Sequence, residues 1–357
     1  MSQYSSKQRH IAIYNHKFLK RLSMFKIQSL RSNGPMFGTL IGVLFMISSC
    51  DVLDAPYYGC TNPLADNYNA NATHDDGTCV FDPSLFRGCI DTAATNYDAT
   101  ALVNDCHCQY TNVRKVLVED YTGHTCGNCP RAAERLKELE CQWGDRVVPM
   151  AIHAGFFALP ESNANGSYAT DHRTAEGNEY NTTFGNSALG LPNGLVNRKS
   201  FSGQLPQDRS VWAEHVAAEL ALPAEAFLTM QNTYSEASRT VNTSIDISVL
   251  SNLNNGPYFI IVALTEDSIV DWQKDYELGD DENIAGYVHN HAHRVNFNGT
   301  WGAQVGTGNL AAGQVLNVSY SLQLNPDWRD AHCNVVAFIY RQDTKEVIQA
   351  EYRPVVD

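Results

Sequence analysis

Two cysteines pose the first chemical question. Thr122-Gly123-His124-Thr125-Cys126-Gly127-Asn128-Cys129-Pro130 follows an apolar run that ends at Tyr121, and it precedes a segment in which Ala132, Ala133, Leu136 and Leu139 share a helical face. A thiol at a helix start meets free backbone amides and the positive end of the helix dipole, and both favour the thiolate. Cys126 is therefore expected as an exposed attacking sulfur. Cys129, one turn in, is expected to be shielded and to resolve a mixed disulfide. Pro130 suits the first turn, where its missing N–H costs little. The competing reading is a structural disulfide or half of a zinc site. Zinc asks for four ligands, and the sequence holds no second Cys-x-x-Cys.

Two further groups of residues invite metal chemistry. His289, His291 and His293 alternate along Tyr287–Arg294. On an extended strand all three imidazoles would face one side and offer nitrogen ligands to zinc or copper. The competing reading, a loop or domain junction of structural histidines, is the preferred one, because the spacing places no carboxylate or Cys as a fourth ligand. Asp66, Asp75 and Asp76, with Asn67 and Asn69, offer clustered oxygens to calcium. Ordinary turn chemistry accounts for the same residues, and their spacing matches no EF-hand loop. No other cofactor is implied.

Those acids lie in an internal repeat. Gly59-Cys60 and Gly88-Cys89 open two units, Asn67-Tyr68 matches Asn96-Tyr97, and Cys79 matches Cys108. The shared spacing pairs Cys60 with Cys79 and Cys89 with Cys108. Each closure would stabilise a small unit by roughly 3 kcal/mol. Cys106 stands where the first unit has its turn glycine, Gly77, and adds a spare thiol.

The first 49 residues carry seven Lys/Arg and no Asp or Glu, and an apolar stretch over Phe37–Ile47 leads to Ile47-Ser48-Ser49-Cys50. The stretch is too short to span a bilayer and suits a signal peptide, with Met24 as an alternative start. Ile-Ser-Ser-Cys resembles the lipobox of bacterial lipoproteins, which makes Cys50 the lipid-carrying first residue of the mature protein. Removing the leader leaves 18 Lys/Arg against 39 Asp/Glu. That balance argues against nucleic acid and anionic lipid as partners. The expected organisation is a leader over 1–49, a lipid anchor and two Cys-rich repeats over 50–111, an α/β domain over 112–222 and an all-β domain over 223–357. In the last of these, Val241, Thr243, Ile245, Ile247 and Val249 alternate toward one face, as in an immunoglobulin-like sandwich.

Strand, Cys-x-x-Cys, helix, strand resembles the thioredoxins. That resemblance places a buried acid at Asp120, able to take the Cys129 proton, and a cis-proline at Pro192. Thr125 stands where thioredoxins carry Trp, and Gly127-Asn128 replaces Gly-Pro. Val116-Leu-Val-Glu-Asp-Tyr-Thr-Gly-His-Thr-Cys-Gly-Asn-Cys-Pro130, Leu191-Pro-Asn-Gly-Leu-Val-Asn-Arg198 and Tyr287-Val-His-Asn-His-Ala-His-Arg294 together resemble the Bacteroidota outer-membrane lipoprotein family named for a twenty-eight-kilodalton outer-membrane protein. The resemblance implies a thioredoxin-like domain followed by a β domain, in an outer-membrane protein facing the periplasm or the surface. Envelope protein thiols would be its partners if the cysteines cycle, or a surface ligand if the fold is only a scaffold. Replacing Cys50 with Ser is expected to release the protein from the membrane fraction and abolish lipid labelling. Unchanged membrane association would exclude Cys50 as the anchor.

Overall fold

The computed structural model describes residues 57–73, 77–80 and 87–356. Cys50, Asp75 and Asp76 lie outside the described residues. The two repeats are built alike. Cys60 is bonded to Cys79 and Cys89 to Cys108. In each unit one asparagine braces the loop: Asn67 donates to the Thr78 carbonyl and accepts from the Val80 amide, and Asn96 does the same with His107 and Gln109. Cys106 keeps the left-handed turn of Gly77, with φ of 66° against 72°. Its sulfur is bonded to Cys141, which ties the second repeat to the helix that follows the Cys-x-x-Cys. The second repeat also contains a short parallel pair, Arg87–Gly88 (β1) with Val103–Asn104 (β2).

Val116–Thr122 (β3) and Val147–His153 (β4) run parallel, joined through helix Cys129–Trp143 (α1). Both strands are buried almost throughout, as expected of parallel strands covered on two faces. Helix Ala175–Phe184 (α2) comes next, then Asn193–Val196 (β5), antiparallel to β3, then helix Trp212–Leu220 (α3). The remainder is mainly strand: Ala226–Ser235 (β6), Thr240–Val249 (β7), Tyr258–Glu266 (β8), Ile269–Lys274 (β9), Asn283–His289 (β10), Ala292–Asn296 (β11), Ala303–Val305 (β12), Val315–Gln323 (β13), Cys333–Arg341 (β14) and Val347–Pro354 (β15).

The sheets do not respect the expected boundary at residue 222. One sheet runs β15-β14-β8-β11-β4-β3-β5, so strands from both expected domains share it. The seam is a single pair, Ala151 with Ala292, and the Ala151 amide donates to the His291 carbonyl. Pro149 precedes the seam and has no N–H to offer, which suits a stretch of β4 where β11 has not yet arrived. A separate sheet, β13-β7-β6, packs on β8 and β14, so a two-sheet layering is present. Its core joins Val241, Ile245 and Ile247 to Ile260, Val262, Val335 and Ile339. Two more clusters fill the rest. Leu136 and Leu139 of α1 and Trp212 of α3 pack on Val116 and Val118, while Tyr180 and Phe184 of α2 pack with Leu117, Met150 and Phe338.

Ion pairs are buried along the same line. Lys115 is 2.8 Å from both Asp145 and Glu351, and Arg114 is 2.6 Å from Glu219. These contacts tie the start of β3 to β15 and α3. Glu119 pairs bidentately with Arg198 at 2.6 and 2.8 Å, and neither side chain has any exposure. Breaking a buried pair from one side leaves an uncompensated charge. Glu119→Gln and Arg198→Met are each expected to lose about 3–5 kcal/mol in chemical denaturation. The double Glu119→Leu/Arg198→Met variant should recover much of that loss. Single variants within 1 kcal/mol of wild type would show that the pair is not buried as described.

Candidate functional site

The candidate site is the loop between β3 and α1. Cys126 and Cys129 are bonded to each other. Cys129 is the first helical residue, Pro130 follows in the first turn, and Asn128 supplies no side-chain cap. The Cys129 and Arg131 amides donate to the Cys126 and Asn128 carbonyls, at 3.1 and 3.2 Å, and Pro130 has no N–H, so what acts on the sulfurs is the positive end of the helix dipole. The loop is anchored from below by Thr125, whose amide and hydroxyl both donate to the Phe157 carbonyl, at 3.0 and 2.9 Å.

Exposure differs from expectation at one of the two sulfurs. Cys129 is shielded, as the sequence suggests, at 1% exposed, but Cys126 is only 3% exposed and so is not the open nucleophile expected of it. The cover comes from the C-terminal half. Gln273 donates to the Cys126 carbonyl at 3.0 Å, the Lys274 amide to the His124 carbonyl at 2.8 Å, and the Tyr276 amide to the Gly127 carbonyl at 2.9 Å. The Tyr276 ring lies on Gly127 where a Cβ would stand, so only glycine admits it there. Arg131 in the first turn of α1 pairs with Asp275, and with Glu277 at 2.9 Å. No local pattern marks residues 273–277 as a cover. Tyr276 stands out only as a half-exposed aromatic.

Asp120 is buried, and its Oδ1 finds no hydrogen-bond partner. Burial pushes its carboxyl up to about 7, with the His291 cation pulling the other way. It lines a cavity of about 1220 Å³ beneath α1, together with Leu136, Glu140, Ala151, Tyr287 and His291. The Leu191–Pro192 peptide is cis, and the next residue, Asn193, is paired with Tyr121. Pro192 therefore lies at the end of β3 from which the cysteine loop departs. Gly194 is held close: a Cβ there would fall 2.5 Å from the Glu119 carbonyl oxygen.

The histidine triplet does not converge. His291 has a φ of 56°, which breaks the strand between β10 and β11 and ends the alternation. Its ring sits 3.2 Å from Glu140 and 3.1 Å from Asp267. Burial works against its charge, yet these carboxylates hold it up to about 10. His293 turns to Thr174 and Asn296, at 2.8 and 2.9 Å. Only His289 joins other imidazoles: those of His153 and His172, with His124 beside His172. Sequence reading passed over His124, His153 and His172, which lie far apart in the chain and share no motif. Asn67 and Asn69 spend their side chains on loop hydrogen bonds, and among the described residues no group of three or more His, Cys, Asp or Glu side chains is placed to hold a metal ion.

Residues 178–355 match the family model described as outer membrane protein Omp28. The chain belongs to the Omp28 family. Among solved structures the Omp28-family chain is similar to HBP35 of Porphyromonas gingivalis, at 14% identity and a TM-score of 0.51, over 68% of this chain and 76% of that one. That likeness concerns the fold alone. A domain of the outer membrane lipoprotein Omp28 from Porphyromonas gingivalis is also matched, at 15% identity and a TM-score of 0.25, over 37% of this chain and 88% of that one. No curated protein matches. The family match begins after the Cys-x-x-Cys, so it covers Leu191–Arg198 and Tyr287–Arg294 and leaves the cysteine loop to its own geometry. Among the described residues no helix is long and apolar enough to cross a membrane.

The buried Asp120 carboxyl makes the stability of the fold depend on pH. In the folded chain it keeps its proton up to about pH 7, whereas an unfolded aspartate loses it near 3.9. Between those values the folded state binds more protons, so this group's contribution is full below about pH 4 and is lost as pH rises through 7. Asp120→Asn stays neutral throughout. Relative to wild type it should gain stability from pH 4 to pH 8, by roughly 2–4 kcal/mol in urea unfolding. A difference that does not change with pH would mean that Asp120 ionises freely.

Proposed function

We propose that this protein is a lipid-anchored outer-membrane protein that exchanges disulfides with envelope proteins through Cys126 and Cys129. The observation that carries the reading is the placement of the pair: one sulfur in the loop after a buried parallel strand, the other on the first residue of the helix that follows. Fold by itself would not suffice, since one fold serves many functions. The lipid anchor rests on the Ile47-Ser48-Ser49-Cys50 sequence.

A client thiolate attacks the Cys126 sulfur, the Cys126–Cys129 bond breaks, and Cys129 leaves as a thiolate. A second client thiolate then attacks the client sulfur of the mixed disulfide and releases Cys126. The client is oxidised and the protein reduced by two electrons. In the opposite direction Cys126 attacks a client disulfide and Cys129 resolves it. Asp120, whose proton is held up to about pH 7, supplies or takes the proton of Cys129.

Access requires movement. With both sulfurs buried, residues 273–277 must lift before a client reaches Cys126. The same burial favours a second reading, in which the disulfide is structural and the protein only binds a surface ligand. The two readings part in one experiment. Cys129→Ser should trap clients covalently on Cys126 in cells, and a variant that also lacks Cys126 should trap none. Adding Tyr276→Ala should raise the capture severalfold by uncovering Gly127. If Cys129→Ser captures nothing, with or without Tyr276→Ala, and Cys126 alkylates no faster than a free thiol, the structural reading stands.

A further inference from the structure

Four histidines from four separate segments meet beside the cysteine loop. His124 lies in the loop itself, His153 ends β4, His172 precedes α2 and His289 ends β10. None is more than 6% exposed. The ring centres of His153 and His172 are 5.0 Å apart, and each stands 5.3 Å from that of His289. His124 is 6.0 Å from His172.

Polar rings in a core are ordinarily satisfied by hydrogen bonds. Here the bonds run outward. His172 Nε2 meets the Asp271 carboxylate at 2.9 Å, His289 Nε2 the Trp272 carbonyl at 3.3 Å, and His124 Nε2 the Leu159 carbonyl at 2.9 Å. A neutral imidazole that donates from Nε2 keeps a lone pair on Nδ1. The Nδ1 of His172 and both ring nitrogens of His153 are buried with no partner.

We propose that His153, His172 and His289, with His124 as the adjacent fourth ring, form a site for one divalent transition-metal ion of zinc-like preference. Spacing supports this. An imidazole bound at ~2.0–2.1 Å puts its ring centre roughly 3.2 Å from the ion, so two such rings at the tetrahedral angle stand about 5.2 Å apart. The three central rings stand at 5.0–5.3 Å. In the conformation shown, these side chains, like every other group of His, Cys, Asp and Glu among the described residues, are not placed to hold an ion. Binding therefore turns the rings in place rather than bringing them together. Asp271 fits the carboxylate that orients a ligating histidine through its other nitrogen. Burial, reinforced by neighbouring imidazoles, lowers the pKa of His153 and carries that of His289 to about 4. It also lowers that of His172, against the pull of Asp271. The rings are thus unprotonated at neutral pH, as metal ligands must be. This site is not the alternating triplet of the sequence: it keeps His289 and excludes His291 and His293.

The test uses the full chain in detergent, stripped with a chelator and with its disulfides intact. Titration with cobalt(II) should load one ion per chain, with the strong visible absorption of a four-coordinate nitrogen-rich site, and one equivalent of zinc should displace it. His153→Gln and His172→Gln should abolish stoichiometric loading. Asp271→Asn should retain the site but weaken it by about 10–100-fold. His215→Gln, a histidine stacked on Phe201 elsewhere, should change nothing. The wild-type stoichiometry and spectrum need no variant to fold. Absence of saturable loading by wild type would overturn the proposal. So would loading that survives both His153→Gln and His172→Gln but fails in His291→Gln, since the ion would then sit among His291, Glu140 and Asp267.

Discussion

Glu119 lies mid-strand in β3, fully buried, and its charge is met by Arg198 from the turn after β5. Such a pair is expensive to desolvate, and it persists only where its surroundings satisfy it. Here the guanidinium carbon is 4.6 Å from the Tyr180 ring centre, 4.8 Å from Phe338 and 5.0 Å from Phe184. Those rings belong to α2 and β14, so the pair draws both halves of the chain around the strand that leads to the cysteines. Asn193 braces the loop before β5, and Asn197 accepts from the Leu117 amide, which fixes where Arg198 enters. Side chains alternate along a strand, so fixing Glu119 toward this network turns Asp120 the other way, into the cavity under α1. Neighbouring carboxylates on one strand thus meet opposite environments. One is paired with a cation, and the other is left without a partner and holds its proton up to about pH 7.

The shared sheet has a consequence for the cysteine loop. Because β11 joins β4, the hairpin β9–β10 is carried across the top of β3 and α1. Its strand end lies over the disulfide and bonds it largely through backbone groups, with the carbonyls of His124, Cys126 and Gly127 as acceptors. The carbonyls that accept these bonds are offered by any sequence, so this part of the cover leaves few traces in composition. Separate domains would have left the disulfide open at the end of its helix.

What was legible in the sequence is what is local. The helix start at Cys129, the buried runs of β3 and β4, the inward face of β7 from Val241 to Val249 and the two repeats all follow from spacing within about twenty residues. The omissions are contacts between distant segments: Cys106 with Cys141, residues 273–277 over the cysteines, and four histidines meeting from residues 124 to 289. Helix α2 escaped notice for another reason. Its AEGNEYNTTF sequence is poor in strong helix formers, and Tyr180 and Phe184 alone supply a large apolar face; packing against the sheet decides it. As a triplet, the histidines of the Tyr287–Arg294 run are structural, as the missing fourth ligand suggests, but the alternation that put their imidazoles on one face presumes an unbroken strand. One left-handed residue, His291, sends its neighbours to different places.

That break also explains why chemistry gathers where it does. A strand continuing through residue 291 would set the three histidines of the run along one face and away from His153. The turn instead ends β10 at His289, inside the imidazole cluster, and swings His291 out to Glu140 on α1 and Asp267 after β8. The hairpin then serves two neighbours within a few residues. Asp271 and Trp272 hold the outward nitrogens of His172 and His289, while Gln273 and Tyr276 hold the cysteine loop. These residues sit on one short strand and the turn that follows it. The groups that orient the histidines and those that cover Cys126 are thus neighbours along β9 and the turn after it, so a displacement of the cover is expected to reach the histidines. Coupling of this kind is reciprocal by thermodynamic necessity. It needs no path through the core, because both sites share β9 itself.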